Sequence, residues 1–236
     1  MASRRRVLDD KSVNIKIDTV QVFVDSAGEH GNTLGILSET STLSDSECLQ
    51  IARGTAFSET VFIDDPATGS IRIFTPARQI DFAGHPTVGA AWFLQHSGFS
   101  VSELHTPAGI VTASANSDGA SVQAPARWST PWVLLPHPTP ADVDAASSEG
   151  ANRHDYAWAW IDQQAGCVRA RAFTSASGTV EDEATGSAAM WLADSLIRPL
   201  EIRQGLGSIL SVVPQGAGVV ELSGQVRLGT SLSIQI

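Results

Sequence analysis

SETVFIDDPATGSIRIFTPARQIDFAGHPTVGAAWFL, residues Ser58 to Leu94, carries two strand patterns, the turn between them and a helix start in one run. Thr60, Val61, Phe62 and Ile63 are the β-branched and aromatic types that suit a half-buried strand, and Glu59 stands at its entrance. Asp65-Pro66-Ala67-Thr68-Gly69 supplies turn residues, and Ile71-Arg72-Ile73-Phe74-Thr75 alternates like a returning strand. After Gly84 the small and apolar run from Pro86 to Leu94 reads as a helix, with Pro86 tolerated in the first turn because its missing N–H has no intrahelical partner to lose.

A helix start carries free N–H groups and the positive end of the dipole, so a carboxylate can be anchored there. Gly84 permits close backbone approach, and His85 beside it can move a proton near neutral pH. Glu59 and His85 are thus candidates for one proton-handling site. The stretch alone leaves the plainer alternative open, in which Glu59 is a surface strand residue and His85 a helix cap.

The chain of 236 residues is long enough for one large domain or two lobes, and 42% hydrophobic with 17% charged residues describes an ordinary globular protein. A formal net charge of -10 argues against a nucleic-acid partner, which needs a basic face. Arg4-Arg5-Arg6 is followed by no apolar segment of the signal-peptide kind, and no run reaches the roughly 18 apolar residues of a membrane helix. No membrane partner and a cytoplasmic location are therefore expected. Cys48 and Cys167 are too few for a disulfide framework and lack zinc spacing, and the six histidines form no HxH or HxxxH pair, so no metal is expected.

Residues 1–16 read as a weakly ordered tail, Thr19–Val24 as the first strand and Leu34–Ser38 as the second. In the loop between them, Gly31 suits a hairpin turn, whereas Asn32 could serve the turn or a ligand. Ser44 and Glu47 form a capping box that opens a helix through Arg53, with Cys48 inside it as a small packing residue. Strands follow at 104–106, 109–113 and 121–124. Residues 126–155, rich in Pro, Ser and Ala, are expected to hold one short strand and a loop. Ala157–Ile161 and Val168–Phe173 read as a hairpin, with the tryptophans as packing residues and not a ligand cage. Strands close the chain at 200–204, 209–213, 219–222 and 226–228.

Two segments look alike. Asp64-Asp65-Pro66-Ala67-Thr68-Gly69-Ser70 and Glu181-Asp182-Glu183-Ala184-Thr185-Gly186-Ser187 share a form, but the first leads into alternating residues and the second into Ala188-Ala189-Met190-Trp191-Leu192-Ala193. Only the second can present N–H groups at a helix start. Strand-rich segments around two small-residue helices, one per half, predict an α+β fold of two similar lobes with a cleft between the helix N-termini. The expected boundaries are 17–107 for the N-terminal lobe and 108–236 for the C-terminal lobe, with the last strands free to return to the first.

The chain resembles the PhzF-like phenazine-biosynthesis isomerase family, which has the diaminopimelate-epimerase fold. The resemblance is carried by Val22-Phe23, Gly31-Asn32, Ser58-Glu59-Thr60-Val61-Phe62, Arg72-Ile73-Phe74-Thr75-Pro76, the Phe82–Ala91 run, Glu181–Ala189 and Gln204-Gly205, in family order. It implies two lobes, each a β-barrel-like sheet around a central helix, paired as a homodimer, with a cofactor-free site between the lobes. By motif, Glu59 aligns with the family's proton-shuttling glutamate, and His85 and Asp182 with residues that position substrate and assist the proton. Ser187 and the N–H groups near Gly84 and Gly186 align with groups that bind the substrate carboxylate, and Ser58 and Asn32 complete the expected binding set.

Glu183 stands where the family has proline, and Gly-Arg-Pro-Ser after Gln-Gly is reduced to Leu206-Gly207-Ser208. The second half is also short for the family. Epimerases of this fold place a cysteine at each helix start, and Cys48 and Cys167 are at neither. That favours proton transfer by one base. The expected activity is isomerisation of a small unsaturated carboxylic or amino acid in secondary-metabolite biosynthesis. Glu59 removes a proton and returns it elsewhere on the same face, its pKa raised by burial. The alternatives are a racemase or epimerase of the same fold and an inactive small-acid-binding protein.

Overall fold

The computed structural model describes residues 14–148, 153–174 and 180–235. Strand β1 (Asn14–Val24) leads through a loop to β2 (Asn32–Ser38), helix α1 (Asp45–Thr55), β3 (Thr60–Asp65), β4 (Ser70–Phe74) and the short β5 (Gln79–Ile80). Helix α2 (Gly84–His96) and strands β6 (Glu103–Thr106), β7 (Gly109–Ala115) and β8 (Gly119–Pro125) follow. Then come a 3-10 turn (Ala126–Trp128), β9 (Val133–Pro136), α3 (Pro140–Ala145), β10 (Asp155–Asp162), β11 (Cys167–Phe173) and α4 (Gly186–Leu196). The chain closes with β12 (Leu200–Gln204), β13 (Ser208–Gly216), β14 (Val219–Leu228) and β15 (Leu232–Gln235).

Local chemistry explains most boundaries. The Ser44 and Glu47 capping box starts α1, with the Glu47 carboxylate accepting the Ser44 N–H at 2.8 Å. Asp65 Oδ1 accepts the Ala67 N–H at 2.9 Å, and Gly69 takes φ +71, so the first of the two look-alike segments is a hairpin turn. The second starts α4. Three expectations need correction. Residues 219–222 and 226–228, expected as two strands, are one continuous β14, and β15 follows it unannounced. Asn14, Ile15 and Lys16 are strand and not tail, because β15 pairs with them from the far end of the chain; residues 1–13 lie outside the described ones. In the 126–155 segment α3 accompanies the expected strand, started by a Thr139–Asp142 capping box with Pro140 in its first turn.

The sheet runs β15-β1-β2-β3-β4-β6-β7-β8-β14-β13-β12-β11-β10-β9, and β14 also pairs with β1. The path from β1 through β8 to β14 therefore closes into a ring, and α2 lies inside it, packed on β1, β2, β7, β8 and β14. β7 and β8, assigned by pattern to the second half, belong to this ring. The remaining strands, β9 to β13, extend from β14 and curve around α4, which packs on β13 and β14. Every residue of α2 from Gly84 to Leu94 is buried, which accounts for its lack of a polar face. One hydrophobic core includes Val88, Ala91 and Trp92 of α2 with Ala188, Met190 and Leu192 of α4, so the two barrel-like halves share an interior.

Candidate active site

A cavity of about 470 Å³ opens between the halves. Its first-half wall is Ser58, Glu59, the Thr75–Arg78 turn, Ile80, Phe82 and Ala83; its second-half wall is Ser129, Thr130, Trp132, His154, Thr174, Asp182, Thr185 and Ser187. Glu59 arrives there because β3 begins one residue later and carries it to the end of the ring. Asp182 arrives because its N–H bonds the Ala172 carbonyl of β11 at 2.9 Å, just before the chain turns into α4.

The two carboxyl groups are held differently. His85 Nδ1 lies 3.2 Å from Glu59 Oε2, and His85 is only 4% exposed while Glu59 is 20% exposed. His85 thus stands behind Glu59 and outside the cavity lining, with its Nε2 buried and unpartnered. Asp182 Oδ1 accepts from Asn32 Nδ2 at 2.7 Å and Oδ2 from Thr185 Oγ1 at 2.6 Å. Asn32 also donates to the Ala184 carbonyl at 3.1 Å, so it ties β2 to the α4 approach and does not line the cavity.

Burial alone would raise the Glu59 pKa, as expected from the sequence. The hydrogen bond and positive character of His85 outweigh it, with Ser58 contributing from close by, and the pKa lies below its usual value. That expectation is therefore reversed. The Ser58 hydroxyl is itself buried and lacks a hydrogen-bond partner of good geometry. Asp182 moves the other way, to about 6, through burial and the Glu59 charge, against the pull of Thr185, His85 and Asn32. Asp182 thus feels the Glu59 charge, and the pair divides into a ready base and a carboxyl that keeps its proton longer.

The helix starts make the second feature. Helices α1 and α3 each have a side-chain capping box and an acid in the first turn. Neither α2, with Ala83 before it, nor α4, with Thr185, has a side-chain cap or a first-turn acid. Ala83 and Thr185 both line the cavity. Two uncapped, positively polarised helix ends thus meet at one place, suited to an anion. Gly84 and Gly186 do not line the cavity. They let the helix ends touch, since a Cβ on Gly84 would stand 3.0 Å from the Gly186 carbonyl carbon. Ser187 Oγ accepts from Trp132 Nε1 at 3.1 Å, which leaves its O–H free to donate into the cavity.

Sequence reading missed Arg78, Trp132, His154 and the Thr75 turn, all on the wall. Trp132 is a wall residue and not only packing. Its segment carries no periodic signal, and its place is settled when β9 pairs with β10. Glu183 also has a role that its charge did not disclose. Its carboxylate accepts from the Leu206 N–H at 2.9 Å and the Ser208 hydroxyl at 2.9 Å, and Ser208 Oγ accepts the Gly31 N–H at 3.0 Å. The shortened β12–β13 turn is thereby fastened to the loop that ends at Asn32. The metal-type cluster found among the described residues, Asp25, Glu29 and His30, lies in the β1–β2 loop and not on the cavity wall. Neither cysteine lines the cavity. No helix among the described residues is long and apolar enough to cross a membrane.

The family described as "Phenazine biosynthesis-like protein" (PhzC-PhzF) matches residues 20–160. Antisense-enhancing sequence 1 of Schizosaccharomyces pombe is 38% identical over 84 residues, a match spanning 34% of this chain and 28% of that protein's length. The trans-2,3-dihydro-3-hydroxyanthranilate isomerase of Pseudomonas fluorescens is 30% identical over 224 residues, covering 75% of this chain and 81% of that enzyme. The crystal structure of the Bacillus anthracis PhzF-family protein superposes with a TM-score of 0.74 at 18% identity, covering 95% of this chain and all (100%) of the other, which establishes the shared fold.

Proposed function

This chain belongs to the phenazine biosynthesis-like (PhzC-PhzF) family, and from that premise we propose that it is an isomerase acting without a cofactor on a small unsaturated carboxylic or amino acid in biosynthesis. The observation that carries the reading is the pairing of Glu59 and Asp182, one from each half, on a single cavity beside two uncapped helix ends.

The substrate carboxylate lies at the helix ends and accepts the Ser187 hydroxyl. Glu59, held ionised by His85, removes a proton from the activated carbon. The C–H electrons form the new double bond, and the old double bond takes a proton at its far carbon. Glu59 returns that proton on the same face, so the enzyme ends as it began. Asp182 hydrogen-bonds to the substrate and restrains the negative charge that develops between the two steps. A positioned acid–base group of this kind contributes roughly 10²–10⁴ in rate. The chain is further proposed to act as a homodimer, which light scattering of the purified protein checks.

The test is deuterium uptake from D₂O into a panel of unsaturated carboxylic and amino acids, read by mass spectrometry and NMR. The native protein is expected to label its substrate and move the double bond. Glu59→Gln is expected to abolish labelling with unchanged circular dichroism, and full labelling by that variant overturns the mechanism. Inverted configuration without a moved double bond would assign the racemase branch. Tight acid binding without exchange would assign a binding protein.

A further inference from the structure

One wall residue is not used by this chemistry. Arg78 is exposed at the edge of the cavity, whereas Glu59 and Asp182 are half-buried inside it. Its guanidinium makes no hydrogen bond or ion pair with the described residues. Other arginines of the fold are engaged: Arg72 with Asp64 at 2.8 Å and Asp45 at 2.7 Å, Arg171 with Glu181 at 2.6 Å, and Arg169 with Asp144 at 2.7 Å.

The backbone that carries Arg78 is fixed. Thr75 Oγ1 accepts the N–H groups of Ala77 at 3.2 Å and Arg78 at 3.1 Å, and the Thr75 N–H bonds the Arg78 carbonyl at 2.9 Å. Arg53 Nε holds the turn from outside through the Pro76 carbonyl at 3.0 Å. The long side chain therefore starts from a set point on the rim, with its charge available to whatever enters.

Arg78 is also the permanent cation of the cavity wall. The other wall residue able to carry positive charge is His154, whose pKa is lowered by burial and by the Arg78 charge. The same cavity wall carries the rings of Trp132 and His154, with centres 5.2 Å apart and planes tilted by 59°. The cavity thus has an anion site at the helix ends, an aromatic stretch of wall and a cationic point at its exposed edge.

We infer that Arg78 selects an unsaturated acid bearing a second anionic group, its first carboxylate at the α2 and α4 starts and its second on the Arg78 guanidinium. This rests on the acid-isomerase reading above and adds the substrate class to it. In a chain of net charge -10, a dianion gains nothing from the general field and needs a local cation to be preferred. A guanidinium meeting a carboxylate in its fork supplies both the charge and the direction.

Binding of two matched acid pairs, read by calorimetry at low ionic strength, tests this. Sorbate and trans,trans-muconate share a six-carbon dienoic skeleton and differ by one terminal carboxylate; crotonate and fumarate do the same at four carbons. The diacid of at least one pair is expected to bind about tenfold more tightly than its monoacid, an advantage of about 1.4 kcal/mol that shrinks as salt is added. Arg78→Gln should erase that advantage and leave the monoacid unchanged, and Arg78→Glu should reverse it. A monoacid that binds while neither diacid gains overturns the inference alone. An advantage that survives in Arg78→Gln assigns the discrimination to another group and overturns it as well. If none of the four acids binds, the inference falls together with the anion site it depends on.

Discussion

Glu59 and Asp182 present the same functional group to the same cavity, and their surroundings pull the two apart. His85 keeps Glu59 ionised. Replacing it with Asn removes the imidazole and lets burial raise the Glu59 pKa. The acidic limb of the exchange-rate profile should then move to higher pH, whereas a purely structural loss would lower the rate without moving the limb. For Asp182 the sign is opposite. Its folded pKa of about 6 lies above the ordinary 3.8, so its favourable contribution to stability is fully present below about 3.8 and is lost as pH rises through 6. Asp182→Asn keeps the bond accepted from Asn32 and reverses the one with Thr185, its amide donating to the hydroxyl oxygen that also accepts from Gln204. It is expected to stabilise the protein at pH 7 by roughly 1–2 kcal/mol, with the gain fading by pH 4 in urea titrations, while abolishing exchange. Both carboxylates were legible in the sequence because each sits in a motif with its own local logic. The reversal for Glu59 was not, because it depends on a histidine ring brought behind the acid by the α2 start.

At the scale of elements, the two central helices differ from the two peripheral ones in a way that sequence periodicity only partly discloses. The capping boxes of α1 and α3 serve helices that end in solvent. The bare starts of α2 and α4 are tolerated because they abut each other and the cavity. Gly84→Ala places a methyl group against the Gly186 backbone and Leu222, and should cost roughly 1–3 kcal/mol in chemical denaturation by forcing the helix ends apart. Ser187→Ala removes a hydroxyl donor from the anion site without touching that contact. It should weaken sorbate binding by roughly tenfold while leaving the denaturation midpoint nearly unchanged, since Trp132 Nε1 loses its acceptor only beside a wet cavity. A pattern of small residues after Gly suffices to place both helices. It does not tell whether the glycine approaches a ligand or a second helix, and here it is the second helix.

For the whole molecule the controlling element is β14. It pairs with β8 and β13, and near its end with β1, so one strand belongs to both halves. Gly224 sits where a side chain would collide with the Phe23 ring, at the bulge where β1 takes a positive φ of 69. The shared strand and shared core predict a single cooperative transition. Unfolding followed by Trp92 alone in α2, and by Trp191 alone in α4, should give coincident midpoints. Two separated transitions would mean that the halves fold as independent units.

Read alone, the chain discloses what is local: most of the strands, the Ser44–Glu47 capping box and the Asp65–Gly69 turn, which of two look-alike segments starts a helix, and which residues have the chemistry to move a proton. Those follow from side-chain size, hydrogen-bonding groups and backbone freedom within a few residues. It took the assembled fold to set β14 closing the ring around α2, His85 behind Glu59, Asn32 bracing Asp182, and Arg78 and Trp132 on one cavity wall. Each of those depends on segments distant in the chain meeting at a definite register, and pairing energy between such segments leaves no trace in either one alone.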